Sequence, residues 1–353
     1  MDNKLKLAKL LVEHSIRPKK GETGILRFGE LGSSLAIIVY ELLVKKGCHV
    51  ILKPQMNGFA KAFLTNATDK QLTKSPKLAI AEAQEADFFI GIGAEQSLTE
   101  LNDIDPKKIA DSAKALRKAQ NIIIEKDRWV ICQYPTNAYA KGAGMSQKAF
   151  EKFAYTAMCA DLTGMYKTQQ KLKKILDKAN TVRIVGKETD VTFSIKGRLT
   201  RISYGRHNIP DGEVFIAPVE NTTEGQVLYD IPTRYGGSDF KNIRLTFEKG
   251  QVVKATSDIN QKKLLTILST DKGARFLGEF GIGTNYAIKK PIKQILFDEK
   301  IGGTIHLAVG QAYSYGGGKN KSAVHWDMIK EMRKFGEVYV DGKLIQKNGK
   351  FTL

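Results

Sequence analysis

GILRFGELGSSLAIIVYELLVKKGCHVILKP, from Gly24 to Pro54, decides the first half of the fold. GILRFG (Gly24 to Gly29) is an apolar run of strand length. Ser33 to Lys46 repeats its apolar residues at helical spacing and stops at Gly47, and HVILKP (His49 to Pro54) is a second strand. Strand, helix and strand at this spacing form a βαβ unit, which closes right-handed with its strands parallel. Further strands are expected at Ala86 to Gly93 (ADFFIGIG), Asn121 to Glu125 and Trp129 to Tyr134, with helices between them. That alternation describes an α/β domain with an open, mainly parallel sheet. The loop GELGSS (Gly29 to Ser34) has neither G-x-G-x-x-G spacing nor a Walker lysine. It reads as a tight turn opening a helix, not as a phosphate cradle.

Upstream, Met1 to Lys20 has Leu7, Leu10, Leu11 and His14 on one side of an amphipathic helix and no continuous apolar stretch of the secretory kind. Downstream, Pro135 to Ser146 connects to a mostly helical stretch, Gln147 to Lys178. From Thr181 the pattern changes: VRIVGKETDVTFSIKGR and IRLTFEKGQVVKATSD alternate apolar and polar residues around turn residues, as antiparallel hairpins do. The expected organisation is an N-terminal α/β domain over 1–140 and a C-terminal α+β, metal-binding domain with antiparallel hairpins over 141–353. A chain of 353 residues with 42% hydrophobic residues is long and apolar enough for two cores.

Lysine and arginine outnumber acids 56 to 37, for a net charge of +19. The excess is scattered, and its densest stretch, KTQQKLKKILDK (Lys167 to Lys178), is spaced as a solvated helix face. Without basic–aromatic stacking motifs, a dedicated nucleic-acid role is the weakest of three readings. The longest apolar run, Leu35 to Val44, contains Glu41 and is too short to span a bilayer. Cys48, Cys132 and Cys159 are odd in number and sit in apolar contexts, which suits free thiols in a reducing, cytoplasmic setting.

The chemistry concentrates near the C-terminus. Of five histidines, His306 lies in GGTIHLAVGQAY and His325 in SAVHWDMI, where Asp327 follows two residues later. Positions two apart on a strand share a face, so His325 and Asp327 address one point, and Thr304, His306 and Ala308 share another face. Imidazole and carboxylate are ligands for a divalent transition metal; the plainer reading is a buried hydrogen-bonded histidine beside a strand-end acid.

PDGEVFIAPVEN (Pro210 to Asn221), GEFGIGTN (Gly278 to Asn285) and LFDEKIGGTIH (Leu296 to His306) each place a glutamate at a strand end or in a glycine-rich loop. Together with WVICQYPTNAYAKGAGMS (Trp129 to Ser146), in this order, they resemble the thermophilic metallo-aminopeptidase family that contains aminopeptidases T and S. The resemblance implies metal ligands Glu220, Glu279, His306, His325 and Asp327. It also implies catalytic roles for Glu279, for Tyr313 (seven residues after the first histidine) and for Glu299. It implies short peptide substrates and a homodimer. His14, His49, His207, Asn285 and Asn320 are expected to be structural.

A charge count favours two divalent ions, such as zinc, cobalt, manganese or magnesium. Glu220, Glu279 and Asp327 bring three negative charges, which two such ions and one hydroxide cancel, whereas a single ion leaves a charge in a partly buried site. The rival reading is a ring-cleaving dioxygenase similar to the dihydroxypyridine type, which holds one iron with two histidines and one carboxylate.

Overall fold

The computed structural model describes residues 2–353. Its contacts divide the chain into two compact units. The first takes in the chain up to Cys159 together with Gly205–Pro210; the second is Ala160–Tyr204 with Asp211–Leu353. The helix Gln147–Met158, which the sequence reading assigned to the second domain from 141 onward, lies in the first unit. It buries Phe150, Ala154, Ala157 and Met158, a stripe at helical spacing, and packs on the helices Asn137–Gly142 and Asn3–Lys9.

In the first unit, five parallel strands run in the order His49–Gln55, Thr23–Gly29, Phe88–Gly93, Trp129–Gln133 and Asn208–Ile209. The helix Ser33–Lys45 makes the crossover expected between the first two in sequence. Asn121–Glu125, expected as a strand, instead ends the helix Pro106–Glu125. Asp105 caps that helix by accepting from the Lys107 amide, and Pro106 opens it. Ile122 and Ile123 continue the stripe of Ala119, so a β-branched triplet that imitates a strand locally is carried by its helical context. The N-terminal segment is helical from Asn3 to Ile16, with Leu7 and Leu11 buried. Met1 of the expected helix lies outside the described residues. Among the described residues no helix is long and apolar enough to cross a membrane, and the three cysteines are unpaired.

The second unit is built on two antiparallel sheets. Eight strands include the expected hairpins Thr181–Gly186/Thr189–Ser194 and Ile243–Glu248/Gln251–Thr256. The latter turns at Lys249–Gly250, both at positive φ, the geometry that matches the twist of paired strands. Five strands form the other sheet, in the order His325–Lys330, Ile305–Gly310, Leu277–Gly283, Glu213–Ile216 and Arg201–Ser203. One core joins the two sheets. Val182, Ile184, Val191, Phe193 and Leu245 from the larger sheet meet Val214, Ile216, Phe280, Ile282, Leu307 and Met328 from the smaller. Phe193 and Phe280 touch edge to face across it at 5.3 Å between ring centres. Truncating Phe280 to alanine leaves a cavity between rigid layers, so Phe280→Ala should lower stability by about 3–5 kcal/mol. A denaturant midpoint within error of the parent would show that the two sheets do not share this core.

Candidate metal centre

The smaller sheet sorts its residues by alternation. Val214 and Ile216, Phe280 and Ile282, Ile305, Leu307 and Val309, and Trp326 and Met328 all enter the core. The intervening positions, Glu213 and Phe215, Gly281, His306 and Ala308, and His325 and Asp327, therefore share the other face. Register aligns them across strands: Gly281 lies opposite both Phe215 and His306, and Ala308 lies between Glu279 and Asp327. Glu279 shares this face with Gly281 by plain alternation, and a break in register lies between Leu277 and Glu279. In an unbroken strand these two residues, two apart, would point the same way; across the break Leu277 enters the core while Glu279 faces the site. Gly278 fits there because the Gly310 and Gln311 carbonyls press against the place a side chain would take.

On this face two groups of ligand atoms lie within 4.8 Å of one another: Glu213, Glu279 and His306, and Glu279, His325 and Asp327. His306 Nε2 is 3.3 Å from Glu279 Oε1 and 3.4 Å from Glu213 Oε2. His325 Nε2 is 3.4 Å from Asp327 Oδ2 and 3.8 Å from Glu279 Oε2. Both imidazoles are oriented by backbone: His306 Nδ1 donates to the Glu299 carbonyl at 3.1 Å, and His325 Nδ1 donates to that of Gln311 at 2.8 Å. A carbonyl only accepts, so each ring carries its proton on Nδ1 and turns Nε2 to the carboxylates, as metal-binding histidines do. Glu279 Oε2 is buried without a hydrogen-bond partner, an arrangement that a cation would relieve. The donor set, its orientation and this orphaned oxygen fit divalent metal. Room for the His306 ring exists because position 281 is glycine: a Cβ there would fall inside the imidazole.

Glu220, expected as a ligand, is not in this cluster. The strand ends at Ile216, and Glu220 lies beyond it in a turn, bonded to the buried Arg198 at 2.6 Å and accepting from the Lys319 amide at 2.8 Å. Glu213, at the other end of the same segment, occupies the site. Alternation was the available signal, since it sets Glu213 apart from the apolar Val214 and Ile216. Lys300 was also missed: it is fully buried, 3.5 Å from Glu213 and paired with Glu299. Glu299 is buried beside the cluster, and its burial raises its pKa against the opposing charge of Lys300. Tyr313, 40% exposed, lies with its ring 5.2 Å from that of His325. Loss of hydration and the charges of Glu279 and Asp327 raise its pKa, so the phenol keeps its proton. A shallow recess opens beside Glu279 and Tyr313, lined by Leu199, Arg201, Phe215, Ala217 and Tyr315. His207 pairs with Asp127, Asn285 donates to the Asp211 carbonyl, and Asn320 donates to those of Gly273 and Gly310; none joins the cluster.

Without metal, protons balance the carboxylates. Burial opposes the His306 cation, yet the Glu279 hydrogen bond and the Glu213 charge outweigh it and push the pKa up to about 9. Burial likewise opposes the His325 cation, and Asp327 outweighs it, pushing His325 up to about 10. Burial raises Asp327 but the imidazolium prevails, holding it at about 2. Burial pushes Glu213 up to about 8, with Lys300 opposing.

The family model described as thermophilic metalloprotease (M29) matches residues 1–351. Aminopeptidase 2 of Geobacillus stearothermophilus is 27% identical over 352 residues, covering 87% of this chain and 83% of that protein. Aminopeptidase AmpS of Bacillus subtilis is 25% identical over 384 residues, covering 95% and 90%. The solved structure of wild-type AmpT from Thermus thermophilus matches with a TM-score of 0.83 and 22% identity over 99% of each chain, a likeness of fold.

Two outcomes follow from this geometry. Glu213→Ala and Gly281→Ala should each reduce metal content sharply in a folded protein, while Glu220→Ala should leave it unchanged. Elemental analysis decides, and metal loss in Glu220→Ala alone would restore that residue as a ligand. The raised histidine pKa values keep both rings protonated until pH climbs through about 9 to 10, so metal must displace those protons and affinity should rise with pH. Calorimetry at pH 7 in buffers of different ionisation enthalpy should register more than one proton released per chain. Release near zero would mean that the imidazoles are already neutral.

Proposed function

The chain belongs to the M29 family of thermophilic metalloproteases, and from that premise we propose that it is a metal-dependent aminopeptidase with a dinuclear centre, cutting the first peptide bond of short unblocked peptides. The observation that carries the dinuclear reading is that the two ligand groups share one residue, Glu279. Glu213 and His306 would hold one ion, His325 and Asp327 the other, and Glu279 would serve both, as a carboxylate can. Bound divalent ions supply Lewis acidity toward a carbonyl and bring the pKa of water near neutrality.

The remaining roles fall to the chain itself. Glu299, a buried carboxylate paired with Lys300, or Glu279 takes the proton from water and delivers it to the leaving amine. Tyr313 keeps its proton and donates a hydrogen bond to the oxyanion that forms as the carbonyl is attacked. A carboxylate of the cluster would hold the substrate's free amino group, which confines cleavage to the first residue. The recess beside Glu279, with its Phe215 and Tyr315 walls, offers an apolar surface to that residue's side chain. The ring-cleaving alternative requires two histidines and one carboxylate; here three carboxylates meet the two histidines, and the family matched is a protease family.

The protein should release N-terminal residues from short peptides, stop on chelation, and spare N-acetylated versions of the same peptides. Equal cleavage of free and blocked peptides would sink the exopeptidase reading. Tyr313→Phe should lower kcat by about 10²-fold, the size of one oxyanion donor; full activity would return Tyr313 to a packing role against Phe215 and Tyr315.

A further inference from the structure

Lys300 is wholly buried, although a lysine ordinarily carries its ammonium to water. Its backbone is fixed, accepting from the Asn285 amide at 3.0 Å and donating to the Phe297 carbonyl at 3.2 Å. The ammonium points among the carboxylates, paired with Glu299 and 3.5 Å from Glu213 Oε1. The other fully buried lysine, Lys330, differs. It meets the single carboxylate of Asp230, which is partly open to solvent, and closes an ordinary ion pair. Lys300 instead stands between two acids that both face the candidate centre. Burying a cation there is costly unless its charge is used.

We infer that Lys300 is the fixed counter-charge of the metal centre, the buried cation that offsets the mutual repulsion of four carboxylates and leaves the centre neutral when two divalent ions and a hydroxide are bound. The inference rests on the dinuclear reading above. Glu213, Glu279, Glu299 and Asp327 carry four negative charges, and Lys300 offsets one. Two divalent ions and one hydroxide then cancel the remaining three. Without Lys300 the loaded centre keeps a negative charge in a buried place; without Glu299 it keeps a positive one. Removing both restores neutrality.

The test is a double-mutant cycle with metal stoichiometry and affinity as the readout, measured by equilibrium dialysis against zinc and by competition with a chromophoric chelator. Circular dichroism and thermal melts check folding. The parent should hold two ions per chain. Lys300→Met should bind the second about a hundredfold more tightly, because loss of a cation a few ångströms away removes a repulsion. Glu299→Gln should bind it more weakly, and the double variant should lie between the two single variants, near the parent. A parent that holds only one ion overturns the dinuclear reading and this inference with it. Two ions in the parent, with Lys300→Met no tighter than the parent or the double variant no tighter than Glu299→Gln, overturn the counter-charge alone. If Lys300→Met does not fold, the comparison of Glu299→Gln with the double variant still decides, because only charge compensation makes a second substitution restore affinity.

Discussion

A strand turns successive side chains to opposite faces, and in the five-stranded sheet that alternation assigns one face to stability and the other to chemistry. Val214, Ile216, Phe280, Ile282, Leu307 and Met328 close the core, while the residues between them line the cluster. A slip of one residue in any strand would exchange the two sets, so the hydrophobic effect that holds the core also fixes which donors meet. The small residues on the site face complete the arrangement. Gly281 leaves space for the His306 ring, and Ala308 separates Glu279 from Asp327 without filling the hollow.

The cost of this arrangement is electrostatic. Glu213, Glu279, Asp327 and Glu299 are removed from water within a few side-chain lengths of each other, and burial alone would drive such groups neutral. The chain answers with Lys300 and with imidazoles that take protons where metal charge belongs. One short segment, DEKIGGTIH, supplies most of the answer. Its Glu299 carboxylate, the Lys300 ammonium, the Glu299 carbonyl that orients His306, and His306 itself arrive together. The overall charge of +19 is therefore no guide to the centre. The positive excess lies along the whole chain, whereas the site concentrates acids.

Long periodic segments were legible from sequence, and so were residues that name their own chemistry. The βαβ unit at 24–54, the hairpins after Thr181 and the pairing of His325 with Asp327 on one face all follow from periods of 3.6 or 2. Two readings differ from the structure for physical reasons. The triplet Ile122–Ile124 has strand propensity, but a capped helix of 20 residues already occupies its register. Glu220 ends a longer apolar-looking run than Glu213 does, but the strand stops at Ile216, and Arg198 claims Glu220 for a turn. Which of two acids in one segment faces a site depends on where pairing ends, and the pairing partner lies some sixty residues away in the Gly281 strand. Lys300 was invisible for a related reason, since nothing local distinguishes a buried lysine from the many exposed ones.

Core and centre also cannot be varied independently, because they share backbone. Phe280 lies between Glu279 and Gly281, and the bulge at Gly278, directly before Glu279, seats Leu277 in the core. Loosening the core around these positions changes the angle at which the carboxylate enters the cluster. Ligand donors tolerate little of this, because coordination distances are fixed to within about 0.2 Å. Tyr313 is different. It follows the strand Ile305–Gly310, outside the sheet, and its ring rests on Phe215, Tyr315 and His325 without reaching the core. The rigid sheet thus carries the groups that must hold charge in place, and the loop carries the aromatic groups that meet a variable substrate.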